Sequence, residues 1–92
     1  QHAAHERILY ERLKRRSGRL KKEAQRLLVP ETIELSFHEA TVMERLVAAF
    51  DAFGLEIDPF GTNTFVVRSV PAMLAGRDVA PLVREIVETL AA

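Results

Sequence analysis

A histidine and a glutamate near the start of the chain are spaced so that one metal ion could bind both. His2 and Glu6 are four residues apart, and side chains at this spacing lie one turn apart on the same face of a helix. A neutral imidazole and a carboxylate are common ligands of divalent cations. Two ligands are fewer than the about four of a tight zinc site, so the pair indicates part of a site. An ordinary helix face is the simpler alternative.

A helix over residues 2–16 would carry this pair. The stretch is rich in good helix formers and contains neither Gly nor Pro, and Ser17-Gly18 predicts its end. Its predicted apolar stripe consists of Ala4, Ile8, Leu9 and Leu13. The chain lacks an initiator Met and starts inside the helical run, so we expect it to be part of a longer protein.

The rest of the chain alternates between strand and helix patterns. Residues 27–35, 55–60 and 64–70 read as strands, and helices are predicted over residues 37–53 and from Asp78 to the end. A capping box of Ser36 and Glu39 opens the first of these helices. The expected buried stripes are Phe37, Ala40, Met43, Leu46, Val47, Phe50 and Phe53 on one helix and Val79, Leu82, Val83, Ile86, Val87 and Leu90 on the other.

These elements predict an α+β fold. The expected architecture is a two-layer sandwich, in which two helices cover one face of a three-stranded, mainly antiparallel sheet and a further helix precedes them. The last two strands should form a hairpin. A right-handed crossover through the middle helix would place the first strand beyond the third, which gives the strand order 1-3-2.

The overall composition fits one small domain of 92 residues with no cysteine. Disulfides and thiolate metal sites are therefore excluded within this chain, and no apolar run approaches the ~20 residues of a membrane span. Residues 1–30 hold nine basic and three acidic groups, a net charge of +6, against −6 for the remainder. This basic arm is either a solvated helix surface or a phosphate-contacting patch, with Arg15, Arg16, Arg19, Lys21 and Lys22 as the candidate DNA-binding residues.

The opening residues resemble a known motif. Gln1-His2-Ala3-Ala4-His5-Glu6-Arg7-Ile8-Leu9-Tyr10-Glu11 is similar to the endonuclease motif of MutL mismatch-repair proteins, Asp-Gln-His-Ala-x2-Glu-x4-Glu, without its leading Asp. Residues 60–71 resemble the hairpin that follows the central helix of the same family. The resemblance implies a protein that nicks DNA with a divalent metal, zinc and/or manganese. It also implies that His2 and Glu6 bind the metal and that Glu6 and Glu11 are catalytic.

The resemblance further implies that this chain is only part of a catalyst. The other metal ligands of the family come from Cys- and His-containing motifs that are absent here. Residues 1–18 would be a connecting helix with the endonuclease motif, and residues 19–92 an α/β regulatory subdomain. The parent would be a cytoplasmic protein with DNA and MutS as partners and no membrane contact. It would be a homodimer through a subdomain absent here, and only its absent N-terminal domain would bind ATP.

A second motif points to a protein partner. Gln25, Leu28 and Pro30 fit the pattern Gln-x-x-Leu-x-Pro, which is similar to the sliding-clamp-binding peptide of bacterial replication and repair proteins. In extended backbone, Gln25 could hydrogen-bond the rim of a pocket while Leu28 and Pro30 fill an apolar groove. The alternative is an ordinary edge strand with Leu28 in the core.

Two other functions remain open from the sequence. The chain could be a non-catalytic interaction domain that binds partners through its sheet edge, with a purely structural first helix. It could also be a stand-alone basic domain that binds nucleic acid. Loss of nicking on replacement of Glu6, in a longer chain, would favour the nuclease interpretation over both.

Overall fold

The computed structural model describes residues 3–92, and His2 therefore lies outside the described residues. The described chain comprises α1 (Ala3–Arg15), α2 (Ser17–Lys22), β1 (Ala24–Glu34), α3 (Phe37–Ala52), β2 (Glu56–Pro59), β3 (Thr64–Pro71), a 3-10 turn (Ala72–Leu74) and α4 (Val79–Ala91). The predicted α+β class is confirmed, including the helix that precedes the sheet.

The three strands form one antiparallel sheet in the order β1-β3-β2, which confirms the predicted order 1-3-2. The tight turn between β2 and β3 uses Gly61 and Asn63, whose φ angles are 93° and 57°. Both residue types tolerate this left-handed region. β3 lies in the centre because it pairs with β2 in the hairpin and with β1 on its other side. β1 and β2 are the two edge strands.

One sheet face and the helices enclose a single core. Ile33 of β1, Ile57 of β2 and Val67 of β3 are at most 1% exposed, as expected for the inner face of a two-layer fold. The predicted stripe of α4 is confirmed, since Val79, Val83, Ile86 and Val87 are buried and Leu82 and Leu90 pack against them. Tyr10, Leu13 and Leu20 join the same core, so α1 and α2 pack against the domain.

Two of the predicted apolar stripes need correction. Phe37 was expected in the core, but it is 78% exposed. It is the first residue of α3, and because helical Cβ atoms tilt toward the N-terminus, its side chain lies beyond the packed turns. On α1, Ile8 is also exposed. Ile8 lies about 140° around the helix from Leu13, so both cannot face the core, and buried Tyr10 occupies the inner position instead.

The predicted end of the first helix at residue 16 is confirmed to within one residue, since α1 ends at Arg15, but Ser17 and Gly18 begin a second helix and do not form a stop. The break falls at Arg16, and Gly18 lies inside α2. The second helix forms because it buries Leu20, which is 6% exposed. Burying a leucine contributes about 1.5–3 kcal/mol, which exceeds the roughly 1 kcal/mol cost of a helical glycine.

Gly54, which follows α3, gives a prediction about stability. Its φ of 96° is strained for other residues, and an added Cβ would lie 3.0 Å from the Ala24 Cβ and 3.2 Å from the Leu20 carbonyl oxygen. Gly54→Ala is therefore expected to lower the free energy of unfolding by about 1–3 kcal/mol, measured by urea denaturation. Gly18→Ala is the control, since it has open space and a helical site, and it should raise stability by up to about 1 kcal/mol. Equal effects of the two changes would contradict this account of Gly54.

Candidate functional site

The two predicted catalytic glutamates lie on different sides of α1. Glu6 is in the first turn and partly buried, whereas Glu11 is exposed. Residues five apart are about 140° apart around a helix, so the two carboxylates cannot approach one ion from α1 alone. A negative charge in the first helical turn is favourable, which gives Glu6 a structural benefit besides any metal role.

The described chain does not contain a complete metal site. Among residues 3–92, no group of three or more His, Asp or Glu side chains is placed to hold an ion. Within this range Glu6 forms no ion pair, so its carboxylate remains able to bind a cation. The donor set of His2 and Glu6 therefore fits part of a site for a divalent cation such as zinc or manganese, and the remaining ligands would have to come from other segments.

A wide bulge interrupts the pairing of β1 with β3. Arg26 pairs with Ser69 and Glu31 pairs with Val67, so residues 27–30 all stand opposite Arg68. A common β-bulge places two residues opposite one, and this bulge places four. Pro30 lies within it, as expected for a residue that cannot donate to a strand ladder. The sequence predicted a strand from residue 27. In the structure, regular pairing with β3 involves residues 24–26 and 31–34, and residues 27–30 between them are not regularly paired.

The bulge turns apolar side chains away from the domain. Leu28 is fully exposed at 102% and Val29 is 76% exposed, whereas Leu27 packs against the core. Gln25 and Pro30 are exposed as well. The alternative in which Leu28 belongs to the core is therefore wrong. All three residues of the predicted clamp-binding motif face solvent on one edge strand, where a partner can reach them.

Polar contacts hold the sheet on either side of the bulge. Arg26 pairs with Glu56 at 3.2 Å, and the Ser69 hydroxyl donates to the same Glu56 carboxylate. Arg68, which stands opposite the bulge, pairs with Asp58 at 2.9 Å. These ion pairs are partly exposed, so each contributes about 0–1 kcal/mol. They add modestly to the strand pairing around a segment that has no partner in the regular register of β1 with β3.

The residue after the bulge reaches α4, which the sequence did not reveal. The backbone N–H of Ala80, at the start of α4, donates to the Glu31 carboxylate at 3.3 Å. Asp78 is the N-cap residue as predicted, but its side chain makes no capping hydrogen bond. A carboxylate near a helix N-terminus satisfies an unpaired N–H and complements the helix dipole. Glu31 and Ala80 are 49 residues apart, so no local motif could indicate this contact.

The predicted DNA-binding residues differ in their surroundings. Lys21 forms an ion pair with Asp51 across α2 and α3, which neutralises part of its charge. Arg15, Arg16, Arg19 and Lys22 are exposed, and in the described part of the chain they form no ion pair. Four of the five predicted cations therefore remain open to an anionic partner.

Tyr10 on the inner side of α1 is a packing residue. Its ring meets Phe50 and Phe53 edge to face, with ring centroids 5.7 and 6.3 Å apart. The Lys14 Nζ lies 5.2 Å from the ring centroid. Burial, and to a lesser degree the charge of Glu11, raises the pKa of Tyr10 above its usual value. The phenol is therefore kept neutral by its position in the core.

This raised pKa predicts a loss of stability in alkaline solution. In the unfolded chain Tyr10 ionises near pH ~10, whereas the folded chain keeps the proton to higher pH. The stabilisation is fully present below the unfolded pKa and is lost as the pH rises through the folded pKa. Tyr10→Phe should reduce this alkaline loss in urea denaturation. Tyr10 is the only tyrosine, so phenolate absorbance reports on it alone, and a titration at the ordinary tyrosine pKa would contradict the prediction.

No helix between residues 3 and 92 combines the length and the apolar character needed to cross a bilayer.

Together, the fold and these surfaces define a small α+β domain that presents an exposed apolar segment and a basic helix. The family described as the MutL C-terminal dimerisation domain matches residues 1–92. The chain belongs to this family of DNA mismatch-repair proteins.

Individual relatives agree with this assignment. The chain is 42% identical over 90 residues to the DNA mismatch repair protein MutL of Geotalea daltonii, and the match covers 98% of the chain and 15% of that protein. It is 46% identical over 88 residues to MutL of Azorhizobium caulinodans, with coverages of 96% and 14%. For MutL of Geobacter sulfurreducens the identity is 41% over 90 residues, with coverages of 98% and 15%. The chain thus spans about one seventh of the length of these relatives.

Proposed function

We propose that this chain is the part of an endonuclease-type MutL protein that recruits the replication sliding clamp and supplies part of the metal site for DNA nicking. The observation that carries the proposal is the bulge of residues 27–30, which leaves Leu28 fully exposed. A soluble domain gains nothing in stability from a leucine held in water. The exposed apolar residue is better explained as a contact for a partner.

The geometry of the bulge supports recognition as an extended peptide. β1 is an edge strand, so a partner can approach it without displacing another strand. Gln25 lies in the paired part of β1, at a position opposite Val70, and its side chain is exposed. Leu28 and Pro30 then project from the unpaired part. This arrangement presents one polar and two apolar groups to a pocket, and it requires little reorganisation of the domain.

The role of α1 in this proposal is to carry the metal ligand Glu6. His2 and Glu6 would bind a divalent cation, zinc or manganese, together with ligands from segments outside this chain. Such a cation, when bound, would polarise a phosphate oxygen or activate water. The partial burial of Glu6, on a helix that Tyr10 and Leu13 fix to the core, supports this role. Glu11 faces another direction, so its catalytic role would require a group beyond α1.

The proposed organisation has residues 1–18 as the connecting helix and residues 19–92 as the regulatory subdomain. The remaining partners would contact other parts of the parent protein. The parent would be a homodimer, which the dimerisation label of the matched family supports. Placing the dimer contact in a subdomain outside this chain is part of the proposal. MutS and DNA would be further partners, with Arg15, Arg16, Arg19, Lys21 and Lys22 near the DNA backbone. ATP would bind only to a separate N-terminal domain.

Direct binding to the clamp tests the proposal. The parent protein should bind the purified sliding clamp in a calorimetric titration. A peptide that occupies the clamp's peptide pocket should abolish the signal, because both would compete for one groove. Undiminished binding in the presence of that peptide would contradict the proposal.

One observation favours the alternative function, a non-catalytic interaction domain. β1 is an edge strand, and its residues 31–34 pair with β3 on one side only, so a partner strand could add to the sheet there. This mode would use backbone hydrogen bonds of β1 rather than the Leu28 side chain. Binding by strand addition should survive Leu28→Ala, whereas recruitment through the motif should not.

A further inference from the structure

An exposed side of α1 carries a group of arginines, of which only Arg15 belongs to the predicted DNA-binding residues. Arg7, Ile8, Glu11, Arg12 and Arg15 line one shallow depression, which we call the arginine face. These positions follow the spacing i, i+1, i+4, i+5 and i+8, so the helical repeat places them on one side. Tyr10 and Leu13 occupy the opposite, buried side of the same helix. The core therefore fixes the direction in which the arginines point.

The charge of this surface is largely unneutralised. The arginine face has three guanidinium groups and a single carboxylate, that of Glu11. Within residues 3–92, none of its three arginines forms an ion pair, in contrast to Arg26 and Arg68. Arg7 donates a long hydrogen bond of 3.5 Å to the Thr89 carbonyl oxygen, which ties one end of the face to α4.

We propose that the arginine face binds the phosphate backbone of duplex DNA. The proposal rests on the proposed function, in which the parent protein acts on DNA, and it identifies a surface for that contact. Arg7 and Arg15 are eight residues apart, or about 12 Å along the helix axis. Duplex DNA has one phosphate per about 3.4 Å of axis on each strand, so this length matches three to four phosphates.

The composition of the surface favours DNA over a protein partner. Ile8, which is 49% exposed, is its only apolar member, whereas the buried centres of protein interfaces are more apolar than the rest of the surface. Guanidinium groups bind phosphate with several donors and are weakly hydrated. Contacts to phosphates carry no base information, so binding through this surface is independent of DNA sequence.

The salt dependence of DNA binding by the full-length protein tests this surface. Fluorescence anisotropy with a short duplex, between roughly 50 and 200 mM salt, gives the slope of log K against log salt concentration. Arg12→Gln with Arg15→Gln should flatten that slope by about two and weaken binding on the order of tenfold at low salt. The matched control is Arg45→Gln with Arg84→Gln, two exposed arginines of α3 and α4, which should leave the slope unchanged.

A second variant tests the sign of the charge effect. Glu11 lies among the three arginines and repels phosphate, so Glu11→Gln should tighten duplex binding by about two- to threefold through loss of like-charge repulsion. An unchanged slope in the double arginine variant, an equal decrease in the control, or weaker binding by Glu11→Gln would overturn the proposal. An unchanged slope together with a lower melting temperature would show that these arginines stabilise the fold and do not bind DNA. This result would also overturn the proposal.

Clamp binding by the same preparations separates this proposal from the previous one. The arginine variants should bind the clamp as the unmodified protein does, because the 27–30 bulge and the arginine face lie on different elements. Clamp binding with an unchanged salt slope would refute the arginine face alone. A reduced slope in a protein that does not bind the clamp would refute the proposed recruitment alone.

Discussion

Glu6→Gln in the full-length protein is expected to reduce metal-dependent nicking of a supercoiled plasmid on the order of 100-fold. The amide keeps the shape of the side chain but loses the charge that binds a cation. A bound cation contributes several kcal/mol to the stabilisation of a developing charge, and about 3 kcal/mol corresponds to a 100-fold change in rate. Agarose gels of nicked and supercoiled plasmid, with manganese present, give the rates.

The matched control for this variant is Glu23→Gln. Glu23 is an exposed glutamate at the end of α2, and its replacement should leave the nicking rate unchanged. Circular dichroism should detect little difference between the two variants, because a charge in the first helical turn contributes only about 0.3–1 kcal/mol. Nicking that persists in Glu6→Gln would eliminate the catalytic role of α1.

Leu28→Ala is expected to weaken sliding-clamp binding by roughly 10- to 100-fold. A leucine side chain that moves from water into an apolar groove contributes about 1.5–3 kcal/mol, and each 1.4 kcal/mol is a factor of about ten in affinity. The combined replacement of Gln25, Leu28 and Pro30 by alanine should remove detectable binding. Because Leu28 is fully exposed, Leu28→Ala should not change the melting temperature of the domain.

The neighbouring residue provides the control for this prediction. Val29 is also exposed, and it occupies a free position of the Gln-x-x-Leu-x-Pro pattern. Val29→Ala should therefore change clamp affinity by at most about threefold. This corresponds to less binding energy than the roughly 0.8 kcal/mol of one buried CH₂ group. Equal losses for Val29→Ala and Leu28→Ala would indicate general stickiness of the bulge instead of a fitted pocket.

The fold could be predicted from sequence where local signals and burial agree. The capping box of Ser36 and Glu39 is present, with both of its hydrogen bonds, and α3 ends at Ala52, one residue before its predicted end. The β2–β3 hairpin follows from its turn residues, and the strand order follows from the handed crossover. In each case the sequence pattern and the packed structure favour the same conformation.

The failures of prediction have their cause in tertiary packing. Gly18 lies inside a helix because Leu20 is buried, and Ile8 is exposed because Tyr10 and Leu13 determine which side of α1 faces the core. The capping of α4 by Glu31 joins residues that are distant along the chain. None of these three features can be predicted from the hydrophobic periodicity of a single helix or strand, because each depends on contacts between elements.

The candidate site also has parts that the sequence predicted and parts that depend on tertiary structure. The motif of Gln25, Leu28 and Pro30 is recognisable from sequence, but the bulge that exposes it depends on the register of β1 against β3. The spacing of His2 and Glu6 predicts a shared face of a helix, and α1 extends from Ala3 through Glu6. From the sequence, the arginine face could not be distinguished from the general excess of basic residues. The orientation of α1 shows that Arg7, Arg12 and Arg15 share one exposed side, whereas Lys21 is paired with Asp51.

Amide hydrogen exchange with and without the clamp tests the central claim most directly. Residues 27–30 lack regular pairing with β3, so the amides of residues 27–29 should exchange rapidly in the free protein and slowly once the clamp is bound. Amides of α3, which is a different element from the bulge, should not change. Clamp binding without protection of residues 25–30, or with protection confined to another surface, would contradict the assignment of this segment as the recruiting element.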